Sequence, residues 1–332
     1  MQTEPRFQLV AGSPRADKRS AMARELRATL SRRPRSIPPK YFYDDVGCRL
    51  FDAICDLPEY YLTRAERELL LAHSDRIVQQ AQAESLIEIG SGMARKTGSL
   101  LRSMRGRGIA PTYVPFDIAS EAIERSVSAL LAECPNLRVC GVVGDFIHDC
   151  ARLAMVARSV PGPRLFAFLG STIGNLDDEQ AAALLREVAR LMIDRDRFLL
   201  GVDLVKAPDV LNAAYNDAQG VTARFNKNVL HVLARELGGE ISDRFFEHIA
   251  AYDEARERIE MHLVSTREQV ITLPRADLRL ALSKGELILT EISRKFTQAS
   301  AERMLAAGGL LLTEWITDGQ FALCVARAAA SS

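Results

Sequence analysis

The sequence lacks an excess of charge of either sign and any apolar run long enough to cross a bilayer. Its 332 residues include 43 basic and 43 acidic side chains, so no strongly charged partner is indicated. With 48% hydrophobic and 26% charged residues, composition also excludes a disordered chain. The start, MQTEPRFQLVAGSPRADKR, has charges and proline where a secretory signal needs an apolar segment. We therefore expect a globular cytoplasmic protein with no membrane and no nucleic-acid partner.

Cysteine and histidine are few and lack the spacing of metal sites. The 6 cysteines show no CxxC pair, and the 5 histidines show no HxxxH pair. We expect reduced, buried thiols and no metal ion. No internal repeat and no exposed apolar repeat are visible, so a monomer is expected.

Short apolar runs alternate with longer amphipathic segments through the first two thirds of the chain, a pattern typical of βαβ units. One amphipathic segment has its apolar positions, from Ala181 to Met192, on one helical face, with Asp177 or Asp178 as the cap. Five parallel strands are predicted, at Leu86–Ile89, Tyr113–Phe116, Leu137–Val143, Leu165–Leu169 and Phe198–Val205.

Beyond Lys206 the alternation stops. The stretch from Pro208 to Lys284 indicates two helices followed by longer strands, as an insertion would. After a helix near residues 299–307, two strand-like runs flank Thr317-Asp318-Gly319, and Asp-Gly is a strong hairpin signal. We predict an α/β fold: a Rossmann-like, class I methyltransferase sheet closed by an antiparallel hairpin, with a second, smaller α+β lobe. The predicted domains are 1–66 with 207–294 for substrate and 67–206 with 295–332 for the cofactor.

Three consecutive predicted strands end in residues suited to a nucleoside. Gly90 and Gly92 follow the first strand, where the chain turns sharply into a helix and a ligand can approach the backbone. Asp117 ends the second strand and can accept hydrogen bonds from ribose hydroxyls, while Asp145 and Phe146 follow the third and suit an adenine.

Each of these residues has a plainer explanation. Either aspartate alone is best explained as a helix cap.

A dinucleotide site needs G-x-G-x-x-G, but the sixth position here is Arg95, so the third glycine is absent. Taken together, the strand ends favour S-adenosylmethionine as the cofactor.

Several longer motifs resemble the histidine-specific Nα-methyltransferase family of ergothioneine biosynthesis. The matching segments run from about Tyr41 to Ala326 and are YFYDDVGCRLFDAICDLPEYYLTRAERELL, IEIGSGMARKT, FDIAS, FLGSTIGNL, AYNDAQGVTARFNKNVL and LTEISRKF. Met93-Ala94-Arg95 depart from the small or acidic residues usual in the family's glycine turn, which should affect cofactor affinity more than reaction type.

The resemblance implies trimethylation of the α-amino group of L-histidine and a role for each matching residue. The cofactor residues would be Gly90, Lys96, Asp117, Asp145 and Phe146. Tyr60, Asn175 and Tyr215 would hold the carboxylate and α-amino group of histidine, with Tyr43 near the reacting nitrogen. Glu291 and Ser293 would bind the imidazole, and Thr222, Phe225 and Met261 would form the pocket walls.

Two of these residues have alternatives on chemical grounds. The side-chain carbonyl of Asn175 can accept from an amine, but asparagine there also suits a helix N-cap. Glu291 lies among apolar neighbours, and its partner can be an imidazole N–H or an internal cation, Lys295 or Arg294. Ser293, two residues on, should lie on the same strand face.

Other functions remain open. A tryptophan or tyrosine Nα-methyltransferase is the alternative within the class. An Arg-rich segment from Arg15 to Lys40 allows a nucleic-acid methyltransferase, and a non-catalytic S-adenosylmethionine sensor is a third possibility.

Overall fold

The structure of the chain is a computed structural model that describes residues 6–11, 15–92, 94, 96–146 and 149–329. Met93 and Arg95 of the glycine turn lie outside the described residues. The chain forms two compact units. The large unit comprises Met1–Gly12, Leu62–Val205 and Lys295–Ser332, as far as these are described, and the small unit comprises Ser13–Tyr61 and Lys206–Arg294.

The strands and helices are numbered in chain order. The strands are β1 Phe7–Val10, β2 Arg35–Ser36, β3 Ser85–Ile89, β4 Thr112–Asp117, β5 Arg138–Val143, β6 Arg164–Phe168, β7 Arg197–Asp203, β8 Phe246–Asp253, β9 Arg258–Ser265, β10 Gln269–Leu273, β11 Leu278–Leu282, β12 Leu287–Arg294, β13 Leu310–Thr317 and β14 Phe321–Ala328. The α-helices are α1 Arg15–Ser31, α2 Asp45–Cys55, α3 Leu62–Ala81, α4 Thr97–Gly106, α5 Ser120–Glu133, α6 Cys150–Ser159, α7 Asp178–Leu191, α8 Pro208–Tyr215, α9 Val221–Leu237 and α10 Gln298–Ala307.

The large unit is built on one sheet with the strand order β1-β5-β4-β3-β6-β7-β14-β13. The strands from β1 to β7 in this order are parallel, and β14 is antiparallel to both β7 and β13. Every residue of β3 and β6 is buried, because helices cover both faces of the sheet: α3, α4 and α5 pack on one core, and α6, α7 and α10 on the other. This is the class I methyltransferase sheet, as predicted.

The five predicted parallel strands, the terminal hairpin and α7 are confirmed. The β13–β14 turn contains Gly319 at φ +87°, and the carboxylate of Asp318 accepts hydrogen bonds from two backbone N–H groups that follow it, both at 2.8 Å. Asp177 caps α7, and the Gln180 side chain completes a capping box.

The structure differs from the predicted domain boundaries at the N-terminal side. Residues 1–66 were assigned to the smaller lobe, but β1 pairs in parallel with β5 at the edge of the large sheet. The helix α3 also begins at Leu62 and buries Ala65, Leu69 and Leu70 in the core of the large unit. A strand of four residues has too short a pattern to reveal its partner, because that partner lies about 130 residues later in the chain.

The small unit is an α+β structure. It has a four-stranded sheet in the order β2-β12-β9-β8 and the hairpin β10-β11, together with α1, α2, α8 and α9. The antiparallel ladder between β12 and β9 contains a bulge: Leu289 pairs with His262 and Glu291 with Met261, so Thr290 is the extra residue. None of the helices in the described ranges combines the length and apolar composition that a bilayer crossing needs.

Candidate active site

The glycine turn after β3 begins with two glycines in the left-handed region. Gly90 and Gly92 have φ values of +66° and +49°, in the left-handed region that favours glycine. A Cβ at Gly92 would meet no atom of the described residues within 4 Å beyond its chain neighbours. The hydroxyl of Ser91, between the two glycines, is buried and makes no hydrogen bond to any described residue. A buried hydroxyl in such a turn, with no partner among the described residues, fits a bound polar molecule.

Asp117 lies beside this turn at the end of β4. Its carboxylate accepts from the N–H of Gly92 at 2.8 Å and from the N–H of Ala119 at 3.0 Å. Burial raises the pKa of Asp117, and these backbone N–H groups oppose the rise. The N-cap of α5 is Ala119 rather than Asp117, so the carboxylate is fixed beside the glycine turn instead of capping the helix.

Asp145 and Phe146 follow β5 at the same edge of the sheet. The ring of Phe146 packs edge-on against the ring of Phe168 at the end of β6, with centroids 5.5 Å apart. The N-cap of α6 is Asp149, so Asp145 is not the helix cap. Carboxylates and an aromatic ring at the carboxyl ends of adjacent parallel strands offer hydrogen-bond acceptors and a stacking surface that fit a nucleoside.

Lys96, one residue before α4, is partly exposed and belongs to a cluster of charged side chains. Its ammonium pairs with the fully buried carboxylate of Glu66. A second buried carboxylate, Glu88 in β3, accepts from the hydroxyls of Thr97, at 2.6 Å, and of Tyr113. Burial raises the pKa of Glu88 to about 7. No sequence motif indicates a role for either glutamate.

Asn175 ends a 3-10 turn, Thr172–Asn175, in the loop between β6 and α7. The alternative role as N-cap of α7 is filled by Asp177. Gly170 and Ser171, earlier in the loop, have φ values of +79° and +56°. The side chain of Asn175 is half-buried and makes no hydrogen bond to another described residue, which leaves its donor and acceptor groups for a ligand.

In the small unit, aromatic side chains form a connected cluster. The ring of Tyr43 lies 5.7 Å from that of Phe51 and 5.8 Å from that of Phe225, both edge-on. The ring of Tyr60 lies 6.3 Å from Phe51 and 6.2 Å from Tyr215, again edge-on. Such contacts hold the rings in fixed orientations. Phe51 was missed in the sequence because its position in α2 resembles that of an ordinary core residue.

Tyr215 connects this cluster to β12. Its hydroxyl and that of Ser293 are 2.8 Å apart, and both side chains are buried. Glu291 is also buried and pairs across the ladder with Met261. Burial raises the pKa of Tyr60 well above its usual range, and the nearby groups of Tyr215 and Glu291 raise it further. Tyr60 is therefore a neutral hydrogen-bond donor at physiological pH and not a base.

Lys295, considered as an internal partner of Glu291, forms a fully buried ion pair with Asp203 at 2.8 Å. Thr222 and Phe225 lie one turn apart at the start of α9, and both are buried. The carboxylate of Asp217 accepts from the N–H of Thr222 at 2.7 Å and fixes this end of the helix.

The structure therefore gathers the predicted site residues in two groups, one in each unit. The large unit contains Gly90, Lys96, Asp117, Asp145, Phe146 and Asn175, all at the carboxyl ends of parallel strands or in the loops that follow them. The small unit contains Tyr43, Tyr60, Tyr215, Thr222, Phe225, Met261, Glu291 and Ser293. Within the described residues, no group of three or more His, Cys, Asp or Glu side chains is arranged to hold a metal ion.

Comparison with known proteins identifies the family of the chain. Residues 22–328 match the model of a family described as histidine-specific, SAM-dependent methyltransferases. The histidine N-alpha-methyltransferases of Mycolicibacterium smegmatis and Mycobacterium tuberculosis are each 42% identical over 308 residues, 92% of this chain and 94% of theirs. Ergothioneine biosynthesis protein 1 of Neurospora crassa is 29% identical over 87% of this chain, which spans 33% of that longer protein. The chain belongs to the family of histidine-specific, S-adenosylmethionine-dependent methyltransferases.

Proposed function

We propose that the chain transfers three methyl groups from S-adenosylmethionine to the α-amino nitrogen of L-histidine and so makes trimethylhistidine, the first step of ergothioneine biosynthesis. The observation that supports the substrate is the buried, hydrogen-bonding end of the aromatic cluster. There Glu291 and Ser293 lie among side chains that would otherwise form an apolar core. Buried polar groups of this kind suit a ligand that has polar atoms on a flat ring.

The substrate roles follow from the chemistry of each group. The Glu291 carboxylate accepts from an imidazole N–H, and the Ser293 hydroxyl, already bonded to Tyr215, contacts the other ring nitrogen. Tyr60 donates its O–H to the substrate carboxylate, because its raised pKa keeps it protonated. Asn175 and Tyr215 bind the α-amino and carboxylate groups. Thr222, Phe225 and Met261 form the walls around the ring.

The cofactor site is assigned to the large unit. Asp117 binds the ribose hydroxyls, Asp145 and Phe146 bind the adenine, and Gly90 and Lys96 bind the amino-acid end of S-adenosylmethionine. When bound, this cofactor supplies a methyl group that its sulfonium makes electrophilic. The fit is supported by the lack of any described atom within 4 Å of a Cβ at Gly92, chain neighbours aside, and by the buried hydroxyl of Ser91, to which no described residue hydrogen-bonds.

The protein contributes positioning more than acid or base chemistry. The amine must be neutral, because an ammonium has no lone pair, and holding it in line removes much of the entropic barrier. We assign Asn175 to orient the nitrogen and Tyr43 to lie beside it, where an ordered water or the tyrosine relays the proton outward. The faces of the tyrosines stabilise the growing positive charge of the methylated nitrogen by cation–π attraction.

The decisive experiment is incubation with labelled S-adenosylmethionine and each proteinogenic amino acid in turn, followed by mass analysis. We expect histidine alone to gain one, two and three methyl groups, with release of adenosylhomocysteine. Methylation of tryptophan or tyrosine in preference to histidine would replace the substrate assignment. Cofactor binding without turnover on any amino acid would indicate a sensor, and salt-dependent binding to RNA would indicate a nucleic-acid enzyme.

We also propose that the protein works as a monomer in the cytoplasm. The six cysteines are free thiols, as expected in a reducing compartment. Size-exclusion chromatography with light scattering checks the first point, and a mass of two chains would contradict it.

A further inference from the structure

The carboxylate of Glu66, in the first turns of α3, lies fully buried against two loops of the large unit. Both of its oxygens accept from the N–H of Gly170, at 2.7 and 2.9 Å. One of them also pairs with the ammonium of Lys96, whose side chain remains partly exposed. Glu66 therefore touches the segment that follows the glycine turn and the loop that leads to Asn175.

The Glu66 carboxylate occupies space that a glycine in β7 leaves free, and its burial is energetically unfavourable. A Cβ on Gly201, in the middle of β7, would overlap an oxygen of Glu66, so the sheet has no side chain at that point. Taking a carboxylate out of water is expensive, and an apolar side chain of similar size usually stabilises a core as well or better. A buried glutamate therefore adds little net stability. This points to a role in orienting the groups that its carboxylate contacts.

The loop after β6 is held from two sides. Glu66 binds the N–H of Gly170 on one side, and the N–H of Asp203 donates to the hydroxyl of Ser171 at 2.9 Å on the other. Asp203 is itself fixed by its buried ion pair with Lys295. These bonds hold two consecutive residues in the left-handed region, immediately before the turn that ends at Asn175.

We propose that Glu66 is a positioning residue that sets both the Lys96 ammonium and the Asn175 loop, and so couples cofactor binding to alignment of the amine. The inference rests on the proposed function, because it assigns Lys96 to the cofactor and Asn175 to the substrate. Glu66 itself touches neither molecule in this scheme. Its two contacts are separable, since the N–H of Gly170 needs only an acceptor whereas the ion pair with Lys96 needs a negative charge.

Two substitutions separate the contacts. Glu66→Gln keeps an amide oxygen for Gly170 but presents an NH₂ group to Lys96. We expect the dissociation constant of S-adenosylmethionine to rise about tenfold, as for loss of a charge-assisted hydrogen bond, while kcat at saturating cofactor falls less than about threefold. Glu66→Met fills the same space and offers no acceptor. We expect it to weaken the cofactor similarly and to lower kcat by a further factor of about ten.

Glu68→Gln is the matched control, because this glutamate lies on the same helix and is exposed. Cofactor affinity is measured by calorimetry, kcat and KM for histidine by adenosylhomocysteine release, and folding by thermal melting. A further test is the Lys96→Met variant: adding Glu66→Gln to it should leave the cofactor dissociation constant unchanged, because the two residues act through one contact.

Several outcomes would overturn the proposal. The proposal is wrong if folded Glu66→Gln and Glu66→Met both have the cofactor affinity and the kcat of wild type. It is also wrong if kcat falls equally in the two variants, or if the losses of activity only reflect a smaller folded fraction at the assay temperature. A wild-type protein that fails to bind S-adenosylmethionine or to methylate histidine would instead overturn the proposed function. The two failures are thus distinguishable.

Discussion

Glu88 should make the stability of the protein depend on pH in a way that one substitution removes. Burial raises the pKa of this carboxyl from its usual 4.5 to about 7, even though the hydroxyls of Thr97 and Tyr113 donate to it. Between these pH values the folded chain holds a proton that the unfolded chain releases. The contribution of Glu88 to the free energy of unfolding is therefore complete below pH 4.5 and is lost as pH rises through about 7.

The size of the effect follows from the two pKa values. Their difference corresponds to about 3 kcal/mol in total, of which about 2 to 3 kcal/mol falls between about pH 5 and about pH 8. Glu88→Gln mimics the protonated carboxyl and keeps an oxygen for both hydroxyls. We expect the free energy of unfolding of Glu88→Gln, relative to that of wild type, to rise by about 2 to 3 kcal/mol between about pH 5 and about pH 8.

The measurement is urea unfolding of both proteins, without cofactor, at several pH values and with comparison of the denaturant slopes. Titrating groups that do not interact with Glu88 contribute equally to both proteins and cancel in the difference. Glu84→Gln, at an exposed glutamate just before the same strand, is the control and should run parallel to wild type. Parallel curves for Glu88→Gln and wild type would refute the reasoning, because Glu88 would then titrate alike in the folded and unfolded chains.

Three further predictions concern the small unit. Glu291→Ala should raise KM for histidine about tenfold or more with cofactor affinity unchanged, because a buried imidazole N–H loses its acceptor; an unchanged KM would contradict the assigned role. Tyr215→Phe and Ser293→Ala, combined in a double-mutant cycle of urea unfolding, should show a coupling of about 1 kcal/mol, and additive effects would contradict the shared hydrogen bond. Gly47→Ala should destabilise the protein by roughly 2 kcal/mol or more, since its Cβ would overlap the carbonyl oxygen of Phe42, and a melting temperature equal to wild type would contradict that contact.

The parallel strands were predictable because of how they are buried. Strands covered on both faces are continuous apolar runs, so β3 to β7 stand out from the helices between them. The hairpin was predictable from Asp318-Gly319, whose turn chemistry is local. By contrast, β1 depends on a ladder with a distant strand, and nothing within its four residues indicates that partner.

Candidate site residues could be predicted where local sequence rules apply, but not where tertiary packing determines which side chains meet. The carboxyl ends of parallel strands lie at one edge of a sheet, so Asp117 and Asp145 could be predicted to lie at the same edge as the glycine turn, and the carboxylate of Asp117 accepts from the N–H of Gly92. Glu66 lies three and four residues before Leu69 and Leu70, so helical spacing places it on the buried face of α3, whereas Glu68 is exposed. The spacing does not indicate what a carboxylate on that face would bind. Only the packing of α3 against the Gly170 loop shows its partner.

The divided sequence of the small unit has a consequence for biosynthesis. Its first segment ends at Tyr61, but the second begins only at Lys206, so a nascent chain makes most of the parallel sheet before this unit has its second half. The large sheet is also incomplete until Phe321–Ala328 has been made, because this strand pairs with the edge of β7. A polypeptide interrupted before Phe321 would expose unpaired backbone on β7 and should aggregate. The small unit can thus complete its fold only after Arg294 has been made, and the large sheet only after Ala328.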